Sequence, residues 1–378
     1  MAQSMGFTSS NIIFAEANSQ QRQLVWELSA EASATHENPS HYVEREKYMS
    51  QRGLTRDGKS QVWVLYLDGD PNQIIASCET IRKPILISDG NGSSAREGNG
   101  YGITSIYINA MYRRVGMAAY LLQRVQERMD ADSDCSALYI DSGKNYYAGL
   151  GWVAFSSLQA TLTLIPHSVR CFKPIDSSKT RPLHDVKEIR ELCERDQQNL
   201  VEKFNNLPAD GHTKVAFLPT FDLIDWQLAR AEFDFGKQRL LSVASSGQNS
   251  VTLIKGAITA NGRAWTYWAH DWSEKRLRVL RIVRCPRNST TEQQVDDISV
   301  LLEAAVAEAS SHSLSRVVVW NPDEEITLGC KCVGNKHQED VAVTFEERVD
   351  EAIPSLRWKG GKDVKGIIWE ENDGYCWC

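Results

Sequence analysis

The sequence predicts a mixed α/β fold arranged in two domains. A length of 378 residues corresponds to about two and a half domains of roughly 150 residues each. Hydrophobic residues make up 42% and charged residues 24%, which is typical of a folded protein with a sizeable core. β-rich runs alternate with amphipathic helical segments, and the order of elements in the first half recurs in the second.

The first half alternates short strands with helical segments. Its predicted strands cover residues 12–14, 61–67, 74–81, 103–108, 137–140 and 161–165. The turn at 68–72, Asp-Gly-Asp-Pro-Asn, predicts a hairpin, whereas the Gly/Ser/Asn-rich segment 89–102 predicts a polar loop. Apolar residues recur at three- and four-residue spacing over 116–129, which predicts an amphipathic helix.

The second half repeats this order with different residues. A Pro/Ser/Lys-rich stretch predicts a linker at 169–182, between a first domain at 1–168 and a second at 183–378. Helices are predicted at 185–204, 222–233 and 292–311, and strands at 240–244, 251–259, 265–270, 277–283 and 316–320. A weak internal duplication is consistent with this pattern.

Charge and composition bear on the class of partner. Lys and Arg total 42 against 49 Asp and Glu, and the resulting net charge of −7 disfavours a nucleic-acid or anionic-membrane partner. No apolar run approaches the roughly 20 residues of a membrane helix. The beginning of the chain lacks a signal or transit pattern, and the nine cysteines are scattered along the sequence. We therefore expect a cytoplasmic protein with reduced thiols; the sequence leaves its oligomeric state open.

A candidate phosphate-binding loop joins a predicted strand to the predicted helix at 116–129. Its pattern is Arg113-x-x-Gly116-x-Ala118. The free N–H groups and positive dipole end of a helix N-terminus suit a pyrophosphate, and small residues allow close approach. Arg113 and Arg114 add positive charge. Taken alone, the pattern also fits an ordinary helix start with surface arginines.

A second motif follows about 30 residues later, with Asn145, Tyr147 and the pair Gly151-Trp152. With both motifs in order, residues 10–165 resemble the GNAT superfamily of acyl-CoA-dependent N-acetyltransferases. Its members combine an Arg/Gln-x-x-Gly-x-Gly/Ala loop with a later Asn and a Tyr-x-x-x-Gly-aromatic segment. One departure is Ala110, where many members have Pro.

The resemblance implies the GNAT fold, acetyl-CoA as co-substrate and direct transfer to an amine. A bulge in the fourth strand would separate it from the fifth, and backbone N–H groups near Ile106, Tyr107 and Ile108 would hold the thioester oxygen. The other implied cofactor-binding residues are Arg113, Arg114, Val115, Gly116, Met117, Ala118 and Asn145. Tyr147 would give a proton to the leaving thiolate, the alternative being a tyrosine that only packs.

The amine also needs a base, since a lysine ammonium has a pKa near 10.4. Glu79, on the predicted strand 74–81, is one candidate, although a solvated strand carboxylate fits its position equally well. The other candidate is the terminal carboxylate of Cys378. Its segment, 372–378, is aromatic, so we expect it to be docked rather than frayed.

The whole chain resembles the fungal lysine N6-acetyltransferase family, which joins an N-terminal GNAT domain to a divergent C-terminal one. Three segments carry this resemblance: 37–39, 219–233 and 369–378. It implies free L-lysine as the small-molecule substrate and a role in lysine catabolism. The second half lacks a phosphate loop, because Pro286 removes an N–H donor and no glycine stands in register. A non-catalytic GNAT-like domain that walls the substrate pocket is therefore expected.

Several alternatives remain open at this stage. The acceptor is either lysine or another small amine, such as a polyamine or a specialised metabolite, with protein lysine less favoured. A catalytically inactive acyl-CoA-binding sensor is the alternative from another class. Trp265, Tyr267, Trp268 and His270 fit either a pocket lining or a core strand. No metal is expected, because the pairs Cys330/Cys332 and Cys376/Cys378 are spaced more closely than in structural zinc sites.

Overall fold

A computed structural model describes residues 11–32, 38–141, 143–165, 178–242, 253–285, 289–359 and 363–377. Within 178–242, side chains are described as far as residue 237. The helices are α1 (Ser19–Ala32), α2 (Pro39–Met49), α3 (Met117–Met129), α4 (Lys144–Gly149), α5 (Val186–Asn205), α6 (Phe221–Ser242), α7 (Thr291–Ser311) and α8 (Glu324–Lys336). The strands are β1 (Ile12–Glu16), β2 (Ser60–Leu67), β3 (Asp70–Ser88), β4 (Arg96–Ile108), β5 (Cys135–Ile140), β6 (Val153–Ala154), β7 (Leu158–Leu164), β8 (Thr180–Leu183), β9 (Thr213–Phe217), β10 (Gly256–Thr259), β11 (Ala264–Asp271), β12 (Arg276–Arg284), β13 (Arg316–Trp320), β14 (Val341–Glu347), β15 (Ile353–Trp358) and β16 (Ile367–Trp369). The predicted mixed α/β class is confirmed.

The first sheet has the strand order β1-β2-β3-β4-β5-β15-β6, with β9 paired to β3 and β16 to β9. Strands β1 to β4 are antiparallel, whereas β4 and β5 run parallel. Successive side chains of a strand point to opposite faces. One face packs against α3 through Cys78, Ile103 and the buried helix residues Leu121 and Val125. The other face carries Val62, which packs with helix α1.

The second sheet has the order β14-β7-β13-β12-β11-β10-β8. Its outer face is covered by α7, whose Ile298 and Leu301 pack on Leu277 and Val317. Its inner face, with the fully buried Trp265, joins β9 and β16 of the first sheet in one core. The second sheet is therefore covered on one face by the apolar stripe of α7 and on the other face by strands of the first sheet.

Each sheet takes strands from both halves of the chain. Strand β7, which precedes the predicted linker, lies between β13 and β14 in the second sheet. Strand β15, from near the end of the chain, pairs with β5 and β6 in the first. The predicted boundary at 169–182 therefore does not separate the two sheets, and residues 166–177 lie outside the described residues.

Two local predictions differ from the structure. The strand predicted at 240–244 is wrong over 240–242, because helix α6 continues to Ser242, and residues 243 and 244 lie outside the described residues. A short apolar run does not by itself distinguish a strand from part of a helix. The loop predicted at 89–102 is shorter than expected, since β4 begins at Arg96 and extends the hairpin with β3.

Candidate active site

The predicted phosphate loop lies between β4 and α3. A 3-10 turn, Ala110–Tyr112, follows β4, and α3 begins at Met117 after Gly116, whose φ is 88°. The first helical hydrogen bond runs from the Tyr120 N–H to the Gly116 carbonyl, 3.0 Å, so the preceding N–H groups have no partner within the helix. The loop residues from Arg113 to Gly116 are exposed. The geometry suits an anion with several oxygens.

Gly116 is required by backbone conformation. A Cβ built on it meets no atom within 4 Å among the described residues. A positive φ is strained for any residue with a side chain, and Gly116 allows the chain to turn into the helix without that strain. Arg113 lies close by, its Nε donating to the Ile108 carbonyl at 3.2 Å. The end of β4 therefore holds this guanidinium beside the loop.

Strand β4 contains the bulge that the resemblance implies. Ser77 pairs with Tyr107 and Glu79 with Thr104, so Ser105 and Ile106 together oppose the single residue Cys78. Ser105 has a φ of 53°, a left-handed conformation that is uncommon for serine. Ile106 is therefore part of the bulge, and Tyr107 and Ile108 follow it at the end of the strand.

The bulge coincides with the end of pairing between β4 and β5. The parallel pairs run from Gly100–Cys135 to Ile103–Leu138, although both strands continue further. Beyond this point the backbone groups of β4 that face β5 are not used in the ladder. The early end of this pairing, beside the bulge, fits the strand separation that the resemblance predicts for the cofactor arm.

Tyr147 lies on α4 and is partly buried against the core on the α3 side of the first sheet. Its carbonyl accepts a hydrogen bond from the backbone N–H of Trp152, 3.0 Å. The fully buried Trp152 indole donates to Ser136 Oγ on β5 at 3.1 Å, which fixes the end of the short helix to the sheet. Burial raises the pKa of the Tyr147 phenol, and Tyr146, Asp141 and Cys78 add to the increase. Cys78 is the residue opposite the bulge, so Tyr147 lies near the bulge on the α3 face of the sheet. Asn145 is exposed on the same helix.

Glu79 points to the other face of the sheet from Cys78. Burial raises the pKa of its carboxyl to about 7, the Ser60 hydrogen bond opposes the increase, Glu46 adds to it and Arg22 opposes it. Ser60 Oγ donates directly to Glu79 Oε1. The carboxylate is therefore not the ordinary solvated group that the sequence left open, and a pKa near neutrality suits a general base. The sequence analysis missed Ser60, since only strand register brings it to Glu79.

The end of the chain is docked, as its aromatic composition predicts. Tyr375 is fully buried and donates from its hydroxyl to the Phe217 carbonyl at 2.6 Å. Lys83 donates to the Cys376 carbonyl at 2.7 Å, and Gln227 donates to that of Trp377. Cys378, the other candidate base, lies outside the described residues. Lys83 and Glu79 share one face of β3, so the segment approaches the face that carries Glu79.

Comparison with protein families adds an independent observation. Residues 166–378, more than half of the chain, match the family described as the LYC1 GNAT-like C-terminal domain. The chain belongs to this family. The predicted resemblance to GNAT-type acetyltransferases is thereby confirmed, and acetyl-CoA is the co-substrate of that class.

Individual relatives of this LYC1 GNAT-like chain are distant. It is 20% identical over 360 residues to an uncharacterised protein of Saccharomyces cerevisiae, covering 88% of this chain and 86% of that protein. It is also 20% identical over 303 residues to a lysine acetyltransferase of Yarrowia lipolytica, covering 70% and 72%.

Solved structures resemble the chain in fold. A probable N-acyltransferase from Enterococcus faecalis is similar with a TM-score of 0.52 at 12% identity, covering 92% of this chain and 72% of that one. A GCN5-related N-acetyltransferase from Anabaena variabilis gives 0.51 at 12% identity, covering 92% and 73%. Both support the GNAT architecture of the sheets.

Burial distinguishes the two roles that the sequence allows for the aromatic residues of β11, a pocket lining or a core strand. Trp265, Tyr267 and Trp268 are fully buried, so they are core residues rather than a pocket lining. His270 is also buried, and its Nε2 lies 2.9 Å from Glu308 Oε1, which His312 approaches at 3.3 Å. His270 lies on β11, whereas Glu308 and His312 lie at the end of α7, so the packing of α7 on the sheet brings His270 to the other two.

The first Cys-x-Cys pair and the lengths of the helices bear on metal binding and on membrane insertion. Cys330 is buried and Cys332 is exposed, so the two thiols of the first Cys-x-Cys pair lie in different environments. No helix within the described ranges has both the length and the apolar character to cross a membrane.

Proposed function

We propose that this protein is an acetyl-CoA-dependent N-acetyltransferase that acetylates the N6 amine of free L-lysine. One structural feature carries the proposal: β4 and β5 separate at a bulge, and the same strand leads into the exposed N-terminus of α3. A thioester arm would lie in the separation, with its pyrophosphate at the N–H groups of the loop. Tyr147 and Glu79 lie on opposite faces beside the bulge.

The proposed chemistry is a single transfer. The ammonium of the substrate first loses one proton to the Glu79 carboxylate, either directly or through water. The free amine nitrogen then forms a bond to the thioester carbon, while N–H groups of Ile106 to Ile108 stabilise the negative charge on its oxygen. As the carbon–sulfur bond breaks, the sulfur takes the Tyr147 phenol proton, and the amide nitrogen gives up its second proton to restore the phenol, by way of solvent. The products are an N-acetyl amide, a free thiol and one proton released through Glu79.

The choice of lysine is supported by the name of the Yarrowia lipolytica relative. The match to the C-terminal domain family supports the acetyltransferase class. The acidic balance of the chain suits a cationic substrate. The C-terminal segment docks on the face of β3 that carries Glu79 and covers part of it, which favours a small molecule over a protein chain as the acceptor. We therefore assign the reaction to lysine catabolism in the cytoplasm.

The test is thiol release from acetyl-CoA with a panel of amines: L-lysine, ornithine, polyamines, aminoglycosides and a histone-tail peptide. We expect turnover with L-lysine and a product acetylated on the side-chain nitrogen, identified by mass spectrometry. Turnover with a different amine alone would retain the reaction class and reject the substrate. Binding of CoA without turnover of any amine would favour the sensor hypothesis.

A further inference from the structure

Arg348 is a buried cation whose side chain is only partly hydrogen-bonded within the part of the chain that the structure describes. Its side chain belongs to a residue only 5% exposed, and its Nε donates to the Ser157 carbonyl at 3.1 Å. Its two terminal nitrogens have no hydrogen-bond partner within the part of the chain that the structure describes. The guanidinium carbon lies 3.8 Å from the centroid of the Trp320 ring. Burial of an unpaired charge costs several kcal/mol. A buried guanidinium with free N–H groups therefore indicates a binding site for an anion.

Arg278 is a second buried guanidinium beside the same indole. Its residue is 7% exposed, and its carbon lies 5.5 Å from the Trp320 ring and 4.3 Å from the Trp377 ring. It donates to Gln227 Oε1 at 2.7 Å, while its Nε has no partner among the described residues. The carboxylate of Asp271, on the neighbouring strand β11, is already bound by Arg276 at 2.9 Å.

Burial affects the two arginines in the same way. Burial lowers the pKa of each guanidinium to about 10, against the opposing effect of nearby acidic groups. Both therefore stay charged at neutral pH, and both would gain from an anionic ligand. A planar carboxylate matches the fork of an arginine, and stacking on an indole keeps that fork oriented.

The cluster is connected to the strand separation by aromatic side chains. Tyr139 is the first residue of β5 beyond Leu138, where the pairing with β4 ends. Its ring stacks on that of Trp320, with centroids 6.1 Å apart. Tyr139 and Trp320 thus bridge the end of the β4–β5 pairing and the two guanidinium groups.

We propose that Arg348 and Arg278 form a binding subsite for the carboxylate of the amine substrate. The substrate class is then an amino acid, with its reacting amine at the strand separation and its carboxylate at the arginines. Polyamines, which carry no carboxylate, are excluded as preferred substrates. This inference rests on the proposed function for the assignment of the reacting end, but the carboxylate site itself is tested by binding.

The experiment compares two ligands that differ by one carboxylate, N6-acetyl-L-lysine and N-acetylcadaverine. We expect N6-acetyl-L-lysine to raise the melting temperature of the wild-type protein and to bind at least 10-fold more tightly by calorimetry. Arg348→Met should abolish this preference, and Arg348→Lys should restore part of it. The matched control is Arg316→Met, because Arg316 lies on β13 in an exposed ion pair with Glu274 at 3.5 Å and should leave the preference unchanged.

The wild-type comparison keeps the inference testable even if Arg348→Met does not fold. Equal binding of the two ligands, or a preference that survives Arg348→Met, would overturn the carboxylate subsite. Carboxylate-dependent binding without turnover of L-lysine would support the subsite while rejecting the proposed function. Turnover of cadaverine as efficient as that of L-lysine would support the N-acetyltransferase activity and reject the carboxylate subsite.

Discussion

The Nζ of Lys83 lies 2.7 Å from the carbonyl oxygen of Cys376, 293 residues further along the chain. Both residues are almost completely buried, and the ammonium also lies 5.6 Å from the centroid of the Phe217 ring. Lys83 is four residues from Glu79 on the same face of β3, so this hydrogen bond attaches the C-terminal segment beside the candidate base. The end of the second half is thereby part of the first sheet's surface.

Lys83→Met is expected to loosen the C-terminal segment. The Cys376 carbonyl would lose its side-chain donor, and a hydrogen bond of this kind contributes about 1 kcal/mol, or roughly a fivefold change in local opening. Hydrogen exchange measured by mass spectrometry should show faster exchange at 374–377. The control is Lys59→Met, whose ammonium is exposed and pairs with Asp222. Unchanged exchange in Lys83→Met would show that the apolar packing of Tyr375 alone holds the segment.

Tyr147→Phe is expected to lower kcat by about 100-fold or more, which is the range for loss of a general acid. Since burial raises the pKa of Tyr147, the phenol is protonated at neutral pH and available to donate. Steady-state kinetics gives kcat, and calorimetry with CoA should give an unchanged affinity. Tyr146→Phe is the matched control, because Tyr146 is the exposed neighbour on the same helix. Full activity in Tyr147→Phe would reduce Tyr147 to a packing residue.

Glu79→Gln is expected to remove one inflection from the pH profile of kcat/KM. With a pKa of about 7, Glu79 is ionised above neutrality, so wild-type activity should fall as the pH drops through 7. Glu46→Gln should move that inflection to lower pH, because the Glu46 carboxylate raises the pKa of Glu79. An inflection near pH 7 that persists in Glu79→Gln would assign the base to another group.

The same pKa shift predicts an effect on stability. The pKa of Glu79 is higher in the folded protein than its ordinary value of 4.5, so ionisation of this carboxyl opposes folding. The cost is absent below pH 4.5, grows as the pH rises and is complete above about 7. Glu79→Gln should therefore raise the melting temperature more at pH 8 than at pH 5. Calorimetry at the two pH values checks this, and an equal change at both would contradict the buried, shifted carboxyl.

Substitution of both Arg113 and Arg114 by alanine is expected to raise KM for acetyl-CoA about 10-fold, with kcat little changed. Each exposed arginine is assigned about 0.7 kcal/mol of attraction to phosphate, and the pair together gives roughly one factor of ten. The effect should shrink at high salt, because exposed charges are screened. Arg128→Ala, at the other end of α3, is the control. An equal KM increase in Arg128→Ala would indicate a general field rather than a phosphate site.

The sequence predicted the features that depend on neighbouring residues. The phosphate loop follows from a strand, an Arg113-x-x-Gly116 turn and an amphipathic helix, all within about 25 residues of chain. The left-handed conformation of Gly116 and the free N–H groups after it arise from local backbone geometry. The same holds for α4 with Tyr147, and for the aromatic end of the chain, whose composition indicated that it is docked.

Tertiary structure decided the features that depend on distant pairing. Strand β7 lies in the second sheet and β15 in the first because each completes a ladder with strands far away in sequence, which no local pattern specifies. The pKa of Glu79 is set by burial and by Ser60, which strand register brings to it. Arg278 and Arg348 lie in unremarkable sequence contexts, and only the packing of two sheets encloses them around Trp320. Backbone conformation is determined locally, whereas the desolvation that shifts a pKa or leaves a guanidinium unpaired is determined by the whole fold.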